Sequence, residues 1–123
     1  MKRIMVVDDN EDLSELLCEI LRHENYDVVS KINGAQAIDS LEAGEQYDLI
    51  MTDLIMPEKD GYDVLNYIKA QGLNVPTIAV SGGGMIAAAN DVAGAVGGLA
   101  SEVLCKPIKF DVLTNTVKKL VGS

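Results

Sequence analysis

Basic side chains are in short supply. Ten lysines and arginines stand against nineteen aspartates and glutamates, which leaves a net charge of −9 at pH 7. A surface of that sign repels a phosphate backbone, which argues against this chain gripping nucleic acid by itself. Histidine is scarcer still, with His23 the only one. It falls in the last turn of an expected helix, where a cation suits the dipole, and that end-of-helix role is favoured over a catalytic one. The two cysteines, Cys18 and Cys105, lie far apart and fit no metal or redox spacing. No apolar run approaches the ~18 residues needed to span a membrane. The chain opens on a charged pair and a strand, so no signal peptide is expected, and both cysteines read as reduced thiols in a cytoplasmic protein. There is no repeat, low-complexity tract or linker-like tail. What is present is ordinary globular material. The chain has 123 residues, 48% hydrophobic and 24% charged, which fits one domain over residues 1–123 with a proper core.

Short apolar runs alternate with amphipathic stretches. Ile4 to Val7 reads as a strand that stops at Asp8-Asp9. Asn10 is a plausible cap for a helix whose apolar face carries Leu13, Leu16, Leu17, Ile20 and Leu21. Val28 and Val29 mark a second strand. Asn33 and Gln36 resemble a capping box opening a short helix that stops at Gly44. The third strand, Leu49 to Met51, ends at Thr52-Asp53, and Pro57 and Gly61 break the chain just beyond. A helix from Gly61 to Gln71 turns Val64, Leu65 and Ile68 inward, and Gly72 terminates it. Pro76 to Val80 is a fourth strand ending at Ser81. A weak helix from Met85 to Val96 follows, then a fifth strand, Val103 to Cys105, leading to Lys106-Pro107. The last helix presents Phe110, Leu113, Val117, Leu120 and Val121 on one face.

Five buried strands alternating with five helices imply an α/β fold, a parallel sheet covered on both faces. In such sheets ligands bind beyond the carboxyl ends of the strands, at the topological switch point. The polar residues that interrupt the apolar pattern all fall at those ends: Asp8 and Asp9, then Asp53, Ser81 and Lys106. Any one of them reads most simply as a solvated strand end. A carboxylate buried at such a position is costly unless something pairs with it, and the five coincide in both chemistry and place.

On these residues the chain resembles the receiver domain of two-component response regulators, of the single-domain, chemotaxis-regulator-like kind. The matching residues are Val6-Val7-Asp8-Asp9-Asn10, Asp53-Leu54-Ile55-Met56-Pro57 with Asp60-Gly61, Ser81, and Lys106-Pro107. The resemblance covers essentially the whole chain. It implies a flavodoxin-like doubly wound sheet of strand order 2-1-3-4-5 with five helices. It implies a phosphorylation-activated signalling switch rather than an enzyme with a diffusible product. Asp53 would be the phosphoacceptor, Lys106 and Ser81 would meet phosphoryl oxygens, and Mg²⁺ would bind Asp9, Asp53, the backbone carbonyl of Ile55 and, more through water, Asp8. A histidine kinase or histidine phosphotransfer protein would be the donor. The surface around the fourth helix and fifth strand would then control a partner or an output domain. The residues leave open whether the receiver stands alone or was cut from a longer protein.

Two rival chemistries fit less well. An aspartyl-phosphate hydrolase of the haloacid dehalogenase type has a second Asp two residues after its nucleophile, where this chain has Ile55. A flavin module would need a phosphate cradle after the first strand, where Asp8-Asp9 would repel phosphate. A degenerate receiver, acting only as an interaction module, would have lost acceptor, metal or lysine positions, and none is lost here. Three departures from the family carry further expectations. Ile55 and Gly83 cannot orient a hydrolytic water, so the phosphoryl group is expected to persist. Val103 stands where most receivers carry the Tyr or Phe of the switch. The glycines of residues 82–98, and a surface whose only charge there is Asp91, suggest read-out by a change of order in that segment.

Overall fold

The apolar runs pair in register as parallel strands. The computed structural model describes residues 1–54, 60–81 and 100–122. In chain order these form β1 (Arg3–Val7), α1 (Glu11–His23), β2 (Asp27–Lys31), α2 (Gly34–Glu42), β3 (Leu49–Asp53), α3 (Gly61–Ala70), β4 (Thr77–Ser81), β5 (Glu102–Cys105) and α4 (Phe110–Val121). The sheet has the order β2-β1-β3-β4-β5 and every pairing is parallel. That is the expected strand order. Four helices are seen among the described residues, and the expected helix from Met85 to Val96 lies outside them.

Successive side chains of a strand point to opposite faces, so the central strands β1 and β3 feed a core on each side of the sheet. On one face Ile4, Val6, Leu49, Met51, Ile78 and Val80 pack against Leu17, Cys18 and Leu21 of α1 and Leu113 and Val117 of α4. On the other, Met5, Val7 and Ile50 meet Ala37 and Ile38 of α2 and Val64 and Ile68 of α3. This two-sided burial is why β3 and β4 are buried along their whole length and read as unbroken apolar runs rather than as alternation.

The helix starts follow local chemistry. Asn10 Oδ1 accepts from the Leu13 amide at 3.1 Å, as its capping role requires. Asn33 Oδ1 accepts from the Gln36 amide at 2.8 Å, but Gln36 Oε1 accepts from Ile32 N–H rather than from Asn33, so only half of the expected box forms. A full box, read from the sequence only as a loop, opens α3: Asp60 takes the Asp63 amide and Asp63 takes the Asp60 amide. Gly44 (φ +89) and Gly72 (φ +65) end the helices before them with left-handed backbone.

Several expected faces and bounds shift. Leu16 and Phe110, expected to turn inward, are exposed (41% and 53%). In α1 the buried stripe is Ser14, Leu17, Cys18 and Leu21, so a small polar residue takes a place that the apolar pattern gave to leucine. Phe110 is the first residue of α4 and precedes the stripe that begins at Leu113. β4 starts at Thr77 because Pro76 has no N–H for the ladder, although its carbonyl still accepts from Ile50 at 3.1 Å. Gln71 caps α3 instead of lying within it.

Candidate acidic phosphoryl site

The switch point lies between β1 and β3, where the chain leaves β1 for the edge strand β2 and returns on the other side. Both strands end in carboxylates. Asp53 is the last residue of β3 and Asp8 follows β1 directly. Ladder bonds that run past the strand ends hold their backbones: Asp8 N–H donates to Lys31 O at 3.1 Å, Leu54 N–H to Val80 O at 3.0 Å, and Lys106 N–H to Ser81 O at 2.9 Å. The site is therefore mounted on the sheet rather than on free loops.

Asp8 and Asp53 are nearly buried, at 4% and 7% exposure, while Asp9 is exposed. One carboxylate oxygen from each of Asp8, Asp9 and Asp53 lies within 4.8 Å of the others. Into this cluster reaches Lys106, whose Nζ is 3.0 Å from Asp53 Oδ2 and 3.5 Å from Asp8 Oδ2. One ammonium offsets only one of three charges. Burial pushes the Asp8 carboxyl above its ordinary range, helped by the Asp53 and Asp9 charges. The Asn10 amide, bonded to Asp8 Oδ1 at 2.9 Å, and Lys106 oppose the rise. Burial alone would lower the Lys106 pKa, but its hydrogen bond to Asp53 and the charges of Asp53 and Asp8 outweigh it and hold the ammonium above its ordinary value. The cluster thus keeps its cation charged and is still short of positive charge. Three carboxylate oxygens open to one point form the donor set that a hard, oxygen-seeking divalent cation fits.

Ser81 closes β4 and is buried, at 1% exposure. Its hydroxyl donates to Cys105 Sγ on β5 at 3.4 Å. Val103 is half-buried beside Leu54, Leu65 and Ala79, with Tyr62 and Ala100 against the same cluster. No aromatic ring occupies its position. His23 sits exposed in the last turn of α1, away from any role in the acidic cluster. Ile55 and Gly83, expected to flank a hydrolytic water, lie outside the described residues, as does the Ile55 carbonyl expected on the metal.

Two contributors were not read from the sequence as such. Gly61 packs so closely on the strand end that an added Cβ would stand 2.3 Å from Asp53 O and 2.8 Å from Leu54 Cα, and its amide donates to Leu54 O at 3.0 Å. The sequence marked Gly61 as a chain break and, with Asp60, as part of the family match, without giving it a role in the site. Cys105 as the acceptor for Ser81 had no sequence signal beyond its place next to Lys106.

The model of the response regulator receiver domain family matches residues 4–118. The chain is 38% identical over 79 residues to YbdJ, an uncharacterised transcriptional regulatory protein of Bacillus subtilis (strain 168), covering 64% of this chain and 34% of that protein. It is 36% identical over 84 residues to the transcriptional regulatory protein CpxR of Escherichia coli (strain K12), covering 68% and 35%. The matches thus span about a third of the length of these relatives. Among solved structures, the response regulator TrrA of Thermotoga maritima in complex with Mg²⁺ and beryllofluoride superimposes with a TM-score of 0.83 at 32% identity, covering 98% of this chain and 99% of that one.

Proposed function

The chain belongs to the response regulator receiver domains, signalling switches of two-component systems rather than classical enzymes, and from that premise we propose that it is switched by a phosphoryl group on Asp53. The observation that carries the reading is the position of Lys106 Nζ, shared between the buried carboxylates of Asp53 and Asp8 inside a cluster of three acids.

Asp53 is the nucleophile. Its carboxylate oxygen forms a bond to phosphorus, and the bond from phosphorus to the donor breaks, with the electron pair leaving on the donor. The donor is the phosphorylated histidine of a kinase or of a phosphotransfer protein. Lys106 already neutralises Asp53, and once the acyl phosphate forms it can follow the charge outward to a phosphoryl oxygen as a compact cation. Ser81 carries a hydroxyl proton for another of those oxygens. Asp8, Asp9 and Asp53, with the Ile55 carbonyl, are the groups that would hold Mg²⁺. When bound, the ion supplies positive charge to offset the acids and the incoming phosphoryl oxygens. The response is passed to a partner protein or to an output domain, through the surface beside β5 and the segment before it. The domain works in the cytoplasm and needs no nucleic acid contact of its own.

Incubation with a small-molecule phosphoryl donor and Mg²⁺, followed by intact-mass measurement, tests this. Wild type gains one phosphoryl group and Asp53→Asn gains none. A modified mutant or an inert wild type overturns the assignment.

A further inference from the structure

Ser81 and Cys105 are register partners on adjacent parallel strands, so their side chains leave the sheet on the same face. That is also the face of Ala79 and Val103, two residues earlier on the same strands. The Ser81 hydroxyl is buried, and its hydrogen-bond acceptor is Cys105 Sγ at 3.4 Å. A hydroxyl has one proton to give. While it is given to the sulfur it cannot be given to a phosphoryl oxygen on Asp53. From this geometry we infer that Cys105 is a positioning residue that holds the Ser81 hydroxyl in its unphosphorylated orientation, and that release of this bond is part of switching.

The inference deepens the phosphorylation reading and rests on it. The two orientations of Ser81 compete for the same proton, so whatever stabilises one lowers the population of the other. A thiol sulfur is a weak acceptor, which suits a hold that must be broken. Cys105 is exposed while Ser81 is buried, so replacing the cysteine disturbs little packing but leaves a buried donor without its acceptor.

The test is a double-mutant cycle read with Mg²⁺ and beryllofluoride as the acyl-phosphate mimic. Cys105→Val, which removes the acceptor, is expected to bind the mimic about three-fold more tightly than wild type, the size that one modest hydrogen bond provides. Cys105→Ser restores an acceptor, and a stronger one, so the affinity returns to that of wild type or falls below it. In a Ser81→Ala background, Cys105→Val has no effect. Coupling constants that report the Ser81 χ1 angle supply a readout without ligand: wild type holds one rotamer and Cys105→Val averages between rotamers. Equal affinity shifts in both backgrounds, or a single Ser81 rotamer in Cys105→Val, overturn the inference while leaving the phosphorylation reading in place. A wild type that fails to bind the mimic overturns the phosphorylation reading and the inference with it.

Discussion

At the scale of single residues the site depends on close approach and on charge that is only partly offset. Gly61 shows the first. Its Cα lies where a Cβ would overlap the backbone of Asp53 and Leu54, which cannot withdraw because both belong to the sheet ladder. Gly61→Ala should therefore cost about 1–3 kcal/mol, seen as a lower urea midpoint, and should slow phosphoryl uptake by displacing Asp53. A variant as stable as wild type would mean that the loop yields without cost. Asp8 shows the second. Burial raises its pKa, so the folded state binds the proton more tightly than the unfolded chain does. Stability then falls as pH rises from the ordinary carboxylate range through the raised value, and above both the full cost is present. Asp8→Asn keeps an oxygen for the Asn10 amide and removes the charge. It should raise the urea midpoint at pH 7 without Mg²⁺, with the gain vanishing below the ordinary carboxylate range. An equal gain at all pH values would point to some cause other than the buried charge. The presence of Asp8 and Asp53 at strand ends was legible in the sequence, but the depth of their burial was not, because it depends on what the neighbouring strands and helices cover.

At the scale of elements, local chemistry and tertiary position do separate jobs. Asn10 was readable as a cap because an Asn before an apolar helical pattern has few other uses, and its bond to the Leu13 amide is formed. The Asp60–Asp63 box was missed because the sequence pattern around Pro57 and Gly61 signals only a break, while the box needs Asp60 in extended backbone to face the first turn of α3. That box fixes where α3 begins and so where Gly61 meets β3. Asp60→Ala should cost about 1 kcal/mol, measured as a lower thermal midpoint, and amide exchange should quicken in the first turn of α3 more than in α1. Uniform quickening in both helices would mean that the box does not act locally. Leu16 and Phe110 teach the complementary lesson. Helical spacing locates an apolar stripe only to within a residue of its edge, and the packing partners decide which edge residue is left outside. In α1 the sheet accepts Ser14 and Cys18 and leaves Leu16 in solvent.

At the scale of the whole molecule, a net charge of −9 and three acids at one point leave negative charge that a divalent cation would offset. Mg²⁺ should stabilise the fold by mass action, by about 2.7 kcal/mol at a hundred-fold excess over its Kd, seen as a higher thermal midpoint, and Asp9→Asn should lose most of that response while retaining its fold. An undiminished response in Asp9→Asn would place the ion elsewhere. The class of fold was determined by the sequence alone: short apolar runs alternating with amphipathic helices have few arrangements other than a covered parallel sheet, because parallel strands require crossovers and the central ones, β1, β3 and β4, must be buried on both faces. The chemical character of the site was likewise readable, since Asp8, Asp9, Asp53, Ser81 and Lys106 interrupt apolar runs at their carboxyl ends. The strand order was expected only through the family resemblance, not from the residue pattern, and the tertiary structure alone decided the register and the side-chain contacts. The order β2-β1-β3-β4-β5 and its register bring Lys106, 53 residues away in the chain, onto Asp53, and set Cys105 opposite Ser81. The physical reason is that a strand's own residues dictate which faces it must bury, whereas contacts between strands follow from the joint packing of all the helices on the sheet.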